Sequence, residues 1–202
     1  MSLNFCENMN IIYLHGFLSN SNSMKGLLLK AYIEQNTAHQ IYLPDLNMPP
    51  KKVVAHVSDL IEKLENIALV GSSLGGFYAT QLASNYHLPA VMINPAMQPW
   101  KLFNKLFGEN QIPLKVSEQW TLTQAQLEDL EKMSIPFVQD ASKLLVLLQQ
   151  DDEVLDYREA QRYYSAVTHQ SMLITETKGN HAMENFAEKI PMILQFLSDN
   201  IK

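Results

Sequence analysis

Six short, continuously apolar runs, separated by longer segments of helical periodicity, constrain this chain more than any other feature. The runs are IIYLH (11–15), IYLP (41–44), IALVG (67–71), AVMIN (90–94), LLVLLQ (144–149) and SMLIT (171–175). A strand with one wet face alternates apolar and polar residues; continuous runs suit strands covered on both faces of a parallel sheet. Between the runs, Ser23 is placed to cap a helix from Met24 to about Glu34. After Pro49 and Pro50, residues Val53, Val54, Val57, Leu60, Ile61 and Leu64 recur at helical spacing. Segments 74–87, 156–166 and 184–199 read the same way, with Pro191 predicting a kink or a restart in the last. Alternating β and α predicts a doubly wound α/β fold, a mostly parallel sheet of about six strands flanked by helices.

One stretch breaks the rhythm. Residues 95 to about 141 separate two strands by more than a crossover needs, and hold Trp100, Trp120 and prolines 99, 113 and 136. Thr123, with Gln126 three residues on, predicts a capped helix inside it. An insertion of this length predicts a helical cap or lid over a site; the alternative is an excursion that packs its own small core. The 202 residues otherwise suit a single domain, 1–202.

Composition narrows the function classes. The formal net charge is −6 and the only arginines are Arg158 and Arg162, which disfavours a nucleic-acid surface. The one cysteine, Cys6, allows no internal disulfide and fits a reducing cytoplasm. The stretch MSLNFCENMN lacks a basic segment followed by an apolar one, so no signal peptide is expected. No apolar run approaches the roughly 20 residues of a membrane span. There is no H-x-x-x-H pair, cysteine cluster or EF-hand pattern, so no metal is expected.

The chemistry centres on Gly71-Ser72-Ser73-Leu74-Gly75, a G-x-S-x-G that follows an apolar run and opens a helical segment. The strand must reverse into a helix within one residue, which strains the central serine and holds its Oγ outward. Glycines at 71 and 75 remove Cβ atoms that would clash across the turn. The amide of Leu74, at the helix N-terminus, can face a developing oxyanion. A phosphate loop fits worse. Phe77 stands where a Walker lysine would be, and Ser73 replaces the second glycine of a dinucleotide loop.

A serine nucleophile needs a base and an orienting acid. His181, in Lys178-Gly179-Asn180-His181, follows the last predicted strand, where ligands bind in open α/β sheets. The other histidines read differently: His87 as a helix-end cap on carbonyls, His169 as a solvated turn residue, His39 and His56 as surface residues, His15 as structural. The acid belongs in the turn Gln150-Asp151-Asp152-Glu153-Val154-Leu155-Asp156. Asp156 suits an N-cap and Glu153 an exposed position, leaving Asp151 and Asp152. The alternative acid position after the preceding strand is Asn94, an amide that cannot stabilise an imidazolium as a carboxylate does. After the first strand, His15-Gly16-Phe17-Leu18 offers the Phe17 amide as second oxyanion donor. Gly16, Phe17, Leu18 and parts of the insertion are expected to line the substrate pocket.

Taken together, YLHGF (13–17), VGSSLGGFYAT (70–80), LPAVMINPA (88–96), DEVLDYR (152–158) and GNHA (179–182) resemble the YqiA-type bacterial esterases of the α/β-hydrolase superfamily. The resemblance spans about residues 10 to 198. It implies an α/β-hydrolase fold, esterase activity on small-molecule acyl esters or thioesters, and no cofactor. It carries the nucleophile to Ser73, the base to His181 and the acid to Asp152, the first residue of the matched DEVLDYR. Glycine often precedes that aspartate in the family, whereas Asp151 precedes it here.

Overall fold

The computed structural model describes residues 8–108, 111–166 and 170–201. Cys6 and His169 lie outside them. Six strands form one all-parallel sheet: β1 (Asn10–Leu14), β2 (Gln40–Tyr42), β3 (Ile67–Ser72), β4 (Ala90–Ile93), β7 (Leu144–Gln149) and β8 (Met172–Glu176). Their spatial order is β2-β1-β3-β4-β7-β8. Each corresponds to one of the six apolar runs. The long helices are α1 (Met24–Asn36), α2 (Pro50–Ile61), α3 (Leu74–Tyr86), α6 (Tyr157–Tyr164) and α7 (Phe186–Asn200).

The continuous runs are apolar on both faces because both faces are covered. Ile11, Tyr13, Ala68, Val70, Val91 and Leu145 pack with α1 and α7. Their neighbours Ile12, Leu14, Leu69, Met92 and Val146 pack with α2, α3 and α6. The chain passes from β1 outward to β2, then returns across β1 to β3. That reversal makes the boundary of β1 and β3 the topological switch point, where the strand-end loops part and leave a crevice.

The segment after β4 builds α4 (Pro99–Phe107), a two-stranded antiparallel hairpin β5 (Leu114–Lys115) and β6 (Thr121–Leu122), and α5 (Gln124–Met133). It has no separate core. Phe103, Trp120, Leu122, Leu127 and Leu130 are buried in the cluster that α2 and α3 form with the sheet.

Several local expectations are not met, and others are. Ser23 and Thr123 occupy N-cap positions, but neither hydroxyl bonds its helix. Gln126, expected to complete the cap at Thr123, instead accepts the indole N–H of Trp120 at 2.9 Å. Asp156 does cap α6, accepting the Arg158 amide at 3.0 Å. Helix α7 runs through Pro191 as one element rather than restarting. His87 ends α3 as a left-handed C-cap whose backbone amide donates to Ala83 O, while its ring meets Asp140 at 2.5 Å rather than a carbonyl. His39 is half-buried rather than a surface residue and accepts the Met9 amide at 3.2 Å.

Candidate active site

At the switch point β3 ends and α3 begins with a single residue between them, Ser73, at φ 55° and ψ −119°. A β-carbon there crowds its own backbone, so the conformation is held by its surroundings. The Ser73 amide donates to Ile93 O at 3.0 Å, and its carbonyl accepts from Ala96 at 3.0 Å and Phe77 at 3.2 Å. The flanking glycines permit the close packing. A Cβ on Gly75 would lie 2.5 Å from the Leu14 carbonyl carbon, and one on Gly71 would lie 2.7 Å from the Gly75 carbonyl carbon.

His181 comes to this serine from the loop between β8 and α7. Its Nε2 lies 3.0 Å from Ser73 Oγ and its Nδ1 lies 2.8 Å from Asp152 Oδ2. The Asp152 side chain is 2% exposed and that of His181 22%. The second carboxylate oxygen of Asp152 accepts the amides of Val154 and Leu155, each at 2.8 Å. The acidic turn thus delivers Asp152 to His181 and leaves Asp151 exposed. Glu153 is exposed as expected but is not idle: its carboxylate accepts the His181 amide at 3.0 Å, and that bond holds its carboxyl below the usual range.

The loop carrying His181 is fixed from behind by Asn94, which the sequence reading weighed only as an acid position, and by Gln149, which it did not single out as a site residue. Asn94 sits at the end of β4 with φ 40° and is 2% exposed. Its Nδ2 donates to the carbonyls of Asn180 and His181 at 3.2 and 3.3 Å, and its Oδ1 accepts the Gln149 amide at 3.0 Å. Gln149, 1% exposed, accepts the Asn180 amide at 2.7 Å and donates to Glu176 and Asn185 at 2.9 Å each. The Lys189 ammonium bonded to Glu176 holds that carboxyl at about 2, so it stays ionised at neutral pH. Gly179, at φ 114°, lets the loop pass against Gln149: a Cβ there would collide with the amide group. The position after β4 therefore holds an amide that grips the histidine's backbone. The one sequence signal for it was a polar residue ending each of two otherwise apolar strands.

On the other side of Ser73, His15 is buried and shapes the turn after β1. Its Nδ1 donates to Gly16 O at 2.8 Å, and its Nε2 accepts the Leu46 amide at 2.9 Å. Gly16 lies so near the serine that a Cβ on it would sit 3.1 Å from Ser73 Cβ. Phe17 packs its ring on Phe103 at 4.5 Å and on Phe107 and Trp120 at about 6 Å. The insertion thereby anchors the loop that carries the Phe17 amide.

A cavity of about 450 Å³ opens beside Ser73 and His181. Gly16 and Phe17 line it, as expected, together with the first turns of α1 and α7. Leu18 does not line it; at φ 56° its side chain turns outward and is 66% exposed. Nor, among the described residues, does any part of 95–141, because that segment packs behind Phe17 on the other face of the sheet. A larger cavity of about 640 Å³ lies behind the His181 loop and does not reach Ser73. Among the described residues no group of three or more histidine, cysteine, aspartate or glutamate side chains is arranged for a metal. No helix among them is long and apolar enough to cross a membrane.

A family model matches this chain over residues 10–198. The chain belongs to the uncharacterised protein family UPF0227. The matched span is the one over which the sequence motifs resemble the YqiA-type esterases. Among solved structures, this UPF0227 member is similar to the mouse alpha/beta hydrolase domain-containing protein 10, with a TM-score of 0.73 and 17% identity over 96% of this chain and 90% of that chain. It is similar to Est1E from Butyrivibrio proteoclasticus, solved with ferulic acid bound, with a TM-score of 0.71 and 18% identity over 98% and 91%. The monoacylglycerol lipase of Paleococcus ferrophilus gives a TM-score of 0.64 and 15% identity over 95% and 94%. The fold is that of the α/β hydrolases.

Proposed function

We propose that this chain is a serine hydrolase of carboxylic esters or acyl thioesters. The observation that carries the reading is the unbroken hydrogen-bonded chain from Ser73 Oγ through His181 to Asp152, with the serine on a strained strand-to-helix turn. In this reading Ser73 Oγ attacks the acyl carbonyl as His181 Nε2 takes its proton. Asp152 fixes the imidazole tautomer through Nδ1 and stabilises the imidazolium. The amides of Leu74 and Phe17 receive the oxyanion. The protonated His181 then gives its proton to the leaving alcohol or thiol. A water, deprotonated by His181, attacks the acyl-enzyme and frees the carboxylic acid. The 95–141 insertion acts within the single domain as a cap that braces the Phe17 loop.

A fluorophosphonate probe tests the nucleophile directly: labelling is expected at Ser73 and nowhere else, and an unlabelled Ser73 under native conditions would sink the proposal. Matched ester and thioester panels then separate the two substrate classes. Asp152→Asn is expected to lower kcat by roughly 10³- to 10⁴-fold, because an amide selects the wrong imidazole tautomer. A loss under tenfold would remove Asp152 from the mechanism. Asn94→Ala frees the Asn180 and His181 carbonyls and is expected to lower kcat about 10- to 100-fold with little change in KM, since a small misplacement of a reacting group costs that much. A change confined to KM would count against this positioning role.

A further inference from the structure

We propose that Lys25 selects substrates carrying an anionic group, its ammonium receiving a carboxylate or phosphate inside the cavity beside Ser73; this rests on the hydrolase reading above. Lys25 is the cavity's one lysine or arginine. The wall around it is largely apolar, formed by Tyr13, Phe17, Met24, Leu28, Met183 and Phe186. Among the described residues no carboxylate comes within 4 Å of its Nζ. Among the described residues its one hydrogen bond is to the Ala182 carbonyl, at 2.6 Å, which leaves two ammonium protons for solvent or a ligand.

That is a costly place for a cation. Burial disfavours the charged ammonium and lowers its pKa, and the negative charge of Asp152 offsets this only in part. Asp152 is itself committed to His181, Val154 and Leu155. Glu184, the cavity's one carboxylate, is exposed and makes no ion pair with Lys25. Lys25 also stands in the first turn of α1, where the helix dipole repels a cation. An anionic substrate group would relieve these costs together, through a charge-assisted hydrogen bond in a partly dehydrated cavity. The rival account is a clamp: the bond to Ala182 ties α1 to the residue after His181, and the charge is incidental.

Paired esters separate the two accounts. One pair is the 4-nitrophenyl monoester of adipate against 4-nitrophenyl hexanoate, with the charge on the acyl arm. A second pair puts a phosphate, or its neutral dimethyl ester, on the alcohol arm. The ratio of kcat/KM for the charged ester to that for the neutral one is expected to fall about 10- to 100-fold in Lys25→Met, the range for a hydrogen bond between charged groups. Lys25→Arg is expected to restore most of it. A fall in either pair supports the proposal and names the arm. Parallel losses that leave both ratios within threefold of the unmodified protein would overturn it in favour of the clamp. If the unmodified protein turns over no ester, the hydrolase reading fails. Calorimetric binding of adipate and of phosphate, in the unmodified and Lys25→Met proteins, then decides: equal binding or none overturns the anion site.

Discussion

Ser73→Ala is expected to abolish ester turnover, by on the order of 10⁴-fold or more in kcat, while the protein unfolds at nearly the same temperature. The two halves of this expectation separate chemistry from fold. Removing Oγ takes away the nucleophile and the acceptor-donor partner of His181 Nε2. It leaves untouched the backbone bonds from Ser73 to Ile93, Ala96 and Phe77 that hold the turn. Alanine meets the same steric cost at φ 55° that serine already bears. What turnover survives would come from the oxyanion amides and substrate binding alone. Retention of a tenth or more of the activity on a chromogenic acyl ester would reject Ser73 as nucleophile.

Gly75→Ala is expected to be strongly destabilising, with a loss of about 4 kcal/mol or more. The added carbon would overlap the backbone of β1 at Leu14, and would lie 2.7 Å from the His15 carbonyl oxygen. Neither neighbour is a flexible side chain, so α3 would have to lift away from the sheet. A domain of this size holds only about 5–15 kcal/mol, so much of the protein would lose its fold or solubility. Gly108→Ala is the comparison. Gly108 has φ 70° but nothing within 4 Å of a Cβ, and its replacement is expected to cost only the backbone strain, about 1–3 kcal/mol. Urea unfolding of both variants gives the check; a Gly75→Ala protein within 1 kcal/mol of the unmodified one would refute the packing argument.

The sheet was legible because its four inner strands are buried on both faces and so wrote themselves as apolar runs, and the half-buried edge strands β2 and β8 are still mostly apolar. Ser73, Asp152 and His181 were legible because each stands in a short motif at a strand end. The resemblance to a family chose Asp152 over Asp151, and the structure brings Asp152 to His181. What stayed hidden depends on long-range meetings. Nothing local says that the amide of Asn94 grips a carbonyl 87 residues away, or that Lys25 reaches Ala182 across 157 residues. The helix caps expected at Ser23 and Thr123 do not form, although both residues hold N-cap positions. The insertion read as a wall of the cavity and instead braces Phe17, because only the folded sheet decides which face that segment covers.

The distance along the chain between Ser73 and His181, 108 residues, also orders events during synthesis. At roughly 5–20 residues per second, the turn that carries Ser73 leaves the ribosome some 5–20 s before His181, the base of the proposed mechanism. Over that interval the nascent chain has Ser73 without His181, while β4, β7 and β8 are added in turn to the sheet edge beyond β3. On the proposed mechanism, no fragment that ends before His181 can use Ser73 on a substrate, however well it folds. Reactivity toward esters then arrives only with the loop between β8 and α7, near the end of synthesis.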